Sequence, residues 1–336
     1  MNKKLLIQKL LEAKKAIPIL FFPMAAKMEY SLMDILHDSH LQAMTMKRII
    51  EEWEVGALIS MMDLSIEAEA FGAHIRFHSR DVPDVVAPIV HTQEDVMALP
   101  IPTIGRGRTR IVIEGIAQTI EMLPNQMLFA GVIGPFSLAT RLMGMMDTLM
   151  NCYDEPEMLH LLLSKIQTFI IEYILALKKA GACGVFMAEP AAGLLSPQLC
   201  DEFSSNYVKE IKKRVSDTSF IFAYHNCGNI LPLLSSIKQV EADIYHVGDA
   251  VDVEEVLKII PKHHIIMGNI SPSKHFFKGS EESVYEATMA LLKQCQKYPN
   301  FILSSGCDIP LSTPQENIRA FFDAMHDFKS FIDNQK

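Results

Sequence analysis

One histidine and two cysteines stand where they could together hold a metal ion. His225 and Cys227 follow the apolar run Phe220–Tyr224, and Cys307 follows a second apolar run, Phe301–Leu303. Alternate residues of a strand share a face, so a His-x-Cys pair at a strand end can direct both side chains at one point. Imidazole and thiolate suit zinc, and a catalytic zinc takes three protein ligands and keeps a fourth position open. The spacing favours an open zinc site, with ordinary packing of free cysteines as the alternative.

A carboxylate is a candidate for the fourth position of this site. Glu189 ends the predicted strand Gly184–Ala188, and Asp249 and Asp308 are competitors that follow other predicted strands. A carboxylate is a harder ligand than zinc prefers, so an incoming thiol could displace it. The alternative for Glu189 is a hydrogen-bonded acid that orients a neighbouring loop.

Short β-branched and apolar runs alternate along the chain with segments of helical period. Eight of the runs are predicted strands: Ile17–Phe22, Ala57–Met61, Met127–Ile133, Gly184–Ala188, Phe220–Tyr224, Ile244–Val247, Ile265–Gly268 and Phe301–Ser304. Between most of them lie helix-length segments: Met33–Glu54, Arg110–Leu123, Glu155–Ala180, Gln198–Val215, Ile230–Gln239, Val253–Ile260 and Ser283–Lys297.

This alternation, eight times over and without a linker, predicts an α/β fold, a single (β/α)8 TIM-barrel domain over residues 1–336. An open doubly wound sheet is the alternative, but no Gly-x-Gly-x-x-Gly opens a helix after the first predicted strand. In a barrel, active-site residues gather at the carboxyl ends of the strands. The barrel therefore predicts that His225, Cys227 and Cys307 meet at one mouth.

Two segments depart from the alternation. Leu5–Ile17 is interrupted by charged residues, and it predicts an amphipathic N-terminal helical extension rather than a signal segment. Phe71–Arg110 contains four prolines and few periodic apolar positions. We interpret it as a long insertion between the second and third strands that covers one barrel mouth.

The composition of the chain argues against a nucleic-acid-binding protein and against a membrane protein. The chain has 336 residues and a net charge of −9, with 31 Lys and Arg against 40 Asp and Glu. No basic stripe with interleaved aromatics is present, which argues against a nucleic-acid partner. No run of about 18 uncharged apolar residues occurs, which argues against a membrane span. Six scattered cysteines without a secretion signal predict reduced thiols and a cytoplasmic enzyme.

Several segments resemble the MtaA/CmuA-type methylcobamide:coenzyme M methyltransferases, a family within the uroporphyrinogen decarboxylase superfamily. The segments that carry the resemblance are Leu64–Ala73, Gly131–Phe136, Ala188–Pro190, His225–Asn229 and Ser304–Pro310. The His-x-Cys…Cys set is their specific part. The resemblance implies a TIM barrel with zinc held by His225, Cys227 and Cys307, and with Glu189 at the position of an additional acidic ligand.

The resemblance further implies transfer of a methyl group from methylcob(III)amide to a thiol such as coenzyme M, through a zinc-bound thiolate. A free thiol has a pKa of about 8.5, so a metal that keeps it deprotonated near pH 7 activates it. Asp38-Ser39-His40 only partly matches the Asp-x-His-x-x-Gly pattern of corrinoid proteins. The methylcobamide is therefore expected on a partner corrinoid protein. Glu67, Tyr224 and Asn229 are expected to shape the substrate pocket, with ordinary packing or a solvated turn as the alternative for each.

Three other functions compete with this interpretation. Uroporphyrinogen decarboxylases carry an arginine-rich segment after the first strand, whereas Phe21–Met28 of this chain contains no arginine. A methyltransferase that uses a folate or another thiol has the same ligand set and is not distinguished by it. A non-catalytic zinc protein that delivers the corrinoid chain is the third alternative.

The loop Gly105–Arg110 contains three arginines at alternate positions. Their guanidinium groups could receive an anionic group such as a sulfonate, or an acidic partner. Because arginines are mostly exposed, a solvated entry to the following helix is the favoured interpretation.

Overall fold

The computed structural model describes residues 2–334 and contains nine strands in that range. They are β1 (Leu58–Ile59), β2 (Ile75–Arg76), β3 (Asp84–Val85), β4 (Leu128–Ile133), β5 (Gly184–Ala188), β6 (Ile221–Asn226), β7 (Ile244–Val247), β8 (Ile265–Ile270) and β9 (Phe301–Ser305). All but β2 and β3 form one parallel sheet in chain order. Sequential parallel neighbours are typical of a (β/α) barrel, and a doubly wound sheet would instead reverse its order. The predicted fold class is confirmed.

The first predicted strand, Ile17–Phe22, was wrong as a strand. Its second half begins the helix Phe21–Ala25, and its first half belongs to no ladder. Pro18 has no backbone N–H to donate to a neighbouring strand, which explains why a regular ladder does not form there.

The segment 16–19 nevertheless closes the ring between the first and last strands of the sheet. Ala16 O accepts a hydrogen bond from Gly56 N at 2.9 Å, just before β1. On the other side, Ile17 N donates to Leu303 O of β9 at 2.9 Å, and Ile17 O accepts from Ser304 Oγ at 2.7 Å. An irregular segment therefore occupies the position of the eighth strand.

The α-helices surround the sheet. Their bounds are α1 (Lys3–Ala13), α2 (Phe21–Ala25), α3 (Leu32–His37), α4 (Ser39–Glu52), α5 (Ile66–Phe71), α6 (Gln93–Ala98), α7 (Thr109–Met122), α8 (Pro135–Met143), α9 (Met145–Asn151), α10 (Pro156–Lys179), α11 (Pro197–Cys200), α12 (Asn206–Val215), α13 (Leu234–Lys238), α14 (Val253–Ile259), α15 (Glu281–Cys295) and α16 (Gln315–Asp333). Short 3-10 segments lie at Pro190–Leu194 and Leu231–Leu233, and π-helical turns at Asp201–Ser205 and Pro272–Phe277.

Alternate residues of the barrel strands face two different environments. Phe186, Ala188 and Ala223 pack into an inner cluster, whereas Met187 and Tyr224 pack with the helices outside. Side chains alternate strictly along a strand, so His225, two positions after the inward-facing Ala223, also points to the interior. A residue one position from an inward-facing one points outward. This alternation determines which of the predicted site residues can meet.

The two ends of the barrel are covered by different segments. Leu6 and Leu10 of α1 join the inner cluster, and Lys3 N donates to Thr218 O just before β6, so α1 covers the amino end. The predicted insertion folds as the hairpin β2–β3 and helix α6. Hairpin residues 80–85 border a cavity of about 440 Å³ at the carboxyl end. The N-terminal extension and the covering insertion are both present as predicted.

Helix α10 is the one described helix that is long and apolar enough to cross a membrane. Half of its most apolar stretch is buried. Leu159, Ile166 and Phe169 are among its fully buried side chains. A core helix passes the same test, so length and composition are weak evidence for a span.

Candidate metal centre

The structure brings His225, Cys227 and Cys307 together at the carboxyl end of the barrel. The ligand atoms of all three lie within 4.8 Å of one another. His225 occupies the end of β6 and is 2% exposed, while the two cysteines lie in the loops after β6 and β9 and are partly exposed. The imidazole is therefore fixed in the barrel interior, and the sulfur atoms form the side of the cluster that is open to the mouth.

The spacing of these atoms fits a tetrahedral zinc ion. Bond lengths of about 2.3 Å to sulfur and about 2.0 Å to nitrogen separate two sulfur ligands by about 3.8 Å and a nitrogen from a sulfur by about 3.5 Å. The two Sγ atoms are 3.7 Å apart, and His225 Nε2 lies 3.6 Å from Cys307 Sγ. Only the 2.8 Å between His225 Nε2 and Cys227 Sγ is shorter than this geometry requires.

A second buried histidine, His246, supports the imidazole of His225 from behind. It lies on β7, paired in register with His225, and is 1% exposed. The two Nδ1 atoms are 2.7 Å apart. His246 Nε2 lies 2.8 Å from Ser305 O and 3.0 Å from Ser304 Oγ. Sequence reasoning missed His246, although a histidine near the carboxyl end of a predicted strand was a usable signal.

The partners of His246 determine which nitrogens carry protons. Ser305 O can only accept, and the Ser304 hydroxyl proton is directed to Ile17 O, so His246 Nε2 is the donor. Burial lowers the pKa of His246 well below its usual value and keeps it neutral, so its Nδ1 accepts. That proton comes from His225 Nδ1, which leaves the lone pair of His225 Nε2 facing the sulfur atoms. An oriented neutral imidazole of this kind is what a metal ligand requires.

The two thiols of the cluster influence each other. The hydrogen bond from Cys227 holds the pKa of Cys307 well below its usual range. The same hydrogen bond and burial raise the pKa of Cys227 above its usual range. Without a cation, two thiolates in this space would repel each other, and a divalent ion would remove that conflict.

The structure does not bring Glu189 to the cluster, contrary to the expectation that it completes the metal shell. Its carboxylate accepts hydrogen bonds from Phe136 N at 3.1 Å and Ser137 N at 2.5 Å, the first-turn amides of α8. Glu189 follows the inward-facing Ala188 by one position, so strand alternation directs it to the helical layer. Burial has the largest effect on its pKa and raises it. The hydrogen bonds from Ser137 and Phe136 oppose this effect, and the resulting pKa is about 7. The alternative interpretation, a buried acid that orients a neighbouring element, fits this geometry.

Of the competing carboxylates, Asp308 has the more suggestive environment. Its Oδ1 is buried and has no hydrogen-bond partner among the described residues, and it borders the cavity beside Cys307. A buried acceptor without a donor is rare in folded proteins and is typical of a missing cation, water or ligand. Asp249 is exposed, and its charge contributes to the raised pKa of Cys227.

The three predicted pocket residues are scattered. Glu67 is 2% exposed and accepts a hydrogen bond from Ile133 N at 3.1 Å, and burial raises its pKa to about 7. Tyr224 is fully buried on the outward face of β6. Asn229 is exposed in the loop after Cys227. None of the three borders the carboxyl-end cavity, and the packing interpretation fits Glu67 and Tyr224.

Arg106 and Arg110 are exposed, as expected for a solvated loop, but Arg108 is not. It is 1% exposed, and its guanidinium group binds Asp63 at 2.5 Å, Glu69 at 2.5 Å and Ser65 Oγ at 2.8 Å. This buried network anchors the end of the insertion to the residues after β1. Arg108 is therefore not free to receive a substrate anion.

The cavity at the carboxyl end is bordered by Asp308, the residue after Cys307, but none of the three cluster residues lines it. Its lining combines apolar side chains with two exposed arginines, Arg80 and Arg141, and with Asp308. A space of about 440 Å³ is within the size range of small-molecule sites. A small ligand could therefore be held beside Asp308, next in the chain to the sulfur cluster.

Comparisons with known proteins give two groups of relatives. The sequence model of the uroporphyrinogen decarboxylase (URO-D) family matches residues 18–328. Methylcobamide:CoM methyltransferase MtbA of Methanosarcina acetivorans is 26% identical over 272 residues, which are 80% of this chain and 78% of that protein. A uroporphyrinogen decarboxylase of Coxiella burnetii is 25% identical over 300 residues, 85% and 81% of the two chains. A solved methyltransferase from Methanosarcina mazei has the same fold, with a TM-score of 0.85, 21% identity, and coverage of 96% of this chain and 99% of that one.

Proposed function

We propose a methyltransferase function for this chain, which belongs to the uroporphyrinogen decarboxylase family. The reaction that we infer moves a methyl group between a methylated corrinoid and a small thiol. The observation that carries this proposal is the spacing of His225 Nε2, Cys227 Sγ and Cys307 Sγ, which suits a metal ion with an open fourth position. Because the chain is similar to both methyltransferases and decarboxylases, the residues of the site must distinguish between the two functions.

The site supports thiol chemistry over decarboxylation of a substrate with many carboxylates. Such a substrate needs several cations, and the residues from Phe21 to Met28 after the closing segment contain no arginine. The first five of these residues form the buried apolar helix α2. Arg108 is already paired with two carboxylates. The arginines that remain at the cavity are Arg80 and Arg141, whereas the imidazole–sulfur cluster has a direct use in thiol activation.

Each residue of the site would have a separate role. His225, Cys227 and Cys307 would hold a zinc ion, and His246 would keep the Nε2 lone pair of His225 directed at it. When bound, the ion would supply the charge that keeps an incoming thiol deprotonated near pH 7. Hairpin residues 80–85 would limit the access of water from one side of the mouth. Positioning of the sulfur against the methyl carbon accounts for the rest of the rate enhancement.

A corrinoid-carrying partner would bind at the same mouth. Its methyl group must reach the sulfur side of the cluster, which is the partly exposed side. Loops at this end expose apolar side chains: Val82 in the hairpin, Leu194 after β5, Leu231 after β6 and Phe277 after β8. Exposed apolar side chains on several loops around one opening are typical of a protein-binding surface.

The experiment that tests the function is an anaerobic assay of the purified protein with methylcobalamin and a panel of thiols. The panel includes 2-mercaptoethanesulfonate, homocysteine and dithiothreitol, and formation of cob(I)alamin is followed by its visible spectrum. Cys307→Ser should abolish the reaction, whereas Cys183→Ser, a matched change outside the cluster, should leave it intact. Parallel incubations with methylcobalamin plus tetrahydrofolate and with uroporphyrinogen test the two rival reactions. Porphyrinogen decarboxylation without cob(I)alamin formation would refute the proposal.

A further inference from the structure

Three potential metal ligands lie together at the amino end of the barrel, opposite the sulfur cluster. Glu241 precedes β7, and His263 and His264 precede β8. These two strands are neighbours, with Ile244 paired to Ile265, so the turns that lead into them lie side by side. One ligand atom from each of the three residues lies within 4.8 Å of the others.

His264 is held in the form that a metal requires. It is 4% exposed, and its Nδ1 lies 2.7 Å from Ala242 O, which can only accept, so Nδ1 carries the proton. Its Nε2 therefore presents a lone pair. Asn300 Nδ2 donates to His264 O at 2.8 Å and fixes the backbone, and the ring packs edge-on against Tyr245. A backbone carbonyl behind an imidazole is a common support for metal-binding histidines.

Charge and exposure at this position also suit a cation. His263 and Glu241 are exposed, so their side chains can adjust around an ion. The Glu241 carboxylate makes no ion pair with any described residue. Lys212 donates to the backbone oxygen of Glu241 rather than to its carboxylate.

We infer that Glu241, His263 and His264 form a second metal site, separate from the sulfur cluster. Two imidazoles and one carboxylate suit a borderline divalent ion such as Zn²⁺, Co²⁺ or Cu²⁺, with water in the remaining positions. Bound there, the ion would join the turn before β7 to the turn before β8. It would therefore stabilise the amino end of the barrel without contacting the proposed reaction site.

The test uses Zn²⁺ and separates the two sites. The Cys227→Ser/Cys307→Ser variant should still bind one equivalent of Zn²⁺ in isothermal titration calorimetry, and Zn²⁺ should raise its melting temperature. Adding His263→Ala should abolish both effects, and adding Glu241→Gln should weaken binding about tenfold or more. His91→Ala, a change of another exposed histidine, should alter neither effect.

A second measurement on otherwise unaltered protein keeps the test informative if the double variant does not fold. The wild type should bind two equivalents of Zn²⁺. His263→Ala and Cys307→Ser should each bind one, because each variant loses a different site. Equal stoichiometry in the wild type and His263→Ala would overturn the second site. Failure of the proposed methyl transfer would leave this stoichiometry unchanged, so the two proposals fail independently.

Discussion

The hydrogen-bond chain through His246 makes a prediction in which two conservative substitutions have opposite effects. His246→Asn places an amide oxygen near the former Nδ1 position, where it can accept the proton of His225 Nδ1. His246→Gln places its amide near the former Nε2 position, where it can donate to Ser305 O. Each variant thus keeps one of the two hydrogen bonds and loses the other.

The expected changes in metal affinity and unfolding free energy depend on which buried group loses its hydrogen-bond partner. In His246→Gln, the proton of His225 Nδ1 retains only the carbonyl oxygen of residue 246, which lies 3.3 Å away. Loss of such support to a metal-binding histidine lowers metal affinity about 10- to 100-fold, and the residual contact places this case near tenfold, or about 1.4 kcal/mol. In His246→Asn, the buried Ser305 O loses its donor, which costs about 1–3 kcal/mol of unfolding free energy.

The assays are a Zn²⁺ competition titration against a chromophoric chelator and urea denaturation of the metal-free protein. We expect the Gln variant to lose Zn²⁺ affinity and keep most of its stability, and the Asn variant to lose stability and keep most of its affinity. Equal losses of affinity in both variants would refute the assignment of protons along the chain. Absence of Zn²⁺ binding in the wild type would instead refute the metal site itself.

Three further predictions concern buried charges away from the cluster. Glu189→Gln should lower the unfolding free energy by about 1–3 kcal/mol in urea denaturation, because glutamine has one acceptor oxygen and leaves one first-turn amide of α8 without a partner. The zinc content of the protein should stay unchanged. Glu67 has a pKa of about 7 in the fold against 4.5 as an isolated group. The unfolding free energy should therefore fall as the pH rises from 4.5 to about 7. Glu67→Gln should reduce that slope, measured by urea denaturation at several pH values. Arg108→Ala should destabilise by about 3–5 kcal/mol because two carboxylates lose their buried partner, whereas Arg110→Ala, a change of an exposed neighbour, should cost less than about 0.5 kcal/mol in the same assay.

Much of the barrel was predictable because its strands are short apolar runs with clear ends. The predicted strands Gly184–Ala188 and Ile244–Val247 match the structure at both ends. Periodicity did not predict where backbone hydrogen bonds fail, so the effect of Pro18 on the first strand was missed. The break between α3 and α4 was missed too, where Asp38 caps α4 by accepting from Leu41 N at 2.8 Å.

The cluster of His225, Cys227 and Cys307 was predictable because position at a strand end fixes side chains to one mouth. The surrounding residues were harder to assign, although strand alternation was available. His225 and Ala188 face inward, so Tyr224 and Glu189 had to face the helices. The role of Arg108 depended on Asp63 and Glu69, and sequence spacing does not show which distant acids surround a buried arginine.

The irregular segment that closes the barrel has a consequence for how the protein is made. Ile17 and Ile19 bond to Leu303, Ser304 and Ser305, about 286 residues later in the chain. Contacts of such long range form late in folding. The partners of the N-terminal segment are synthesised long after it, so until they emerge the growing chain holds an open sheet whose first edge is unpaired. Cys307 emerges with those partners, and metal capture at the sulfur cluster would therefore report that the residues that close the ring have been made.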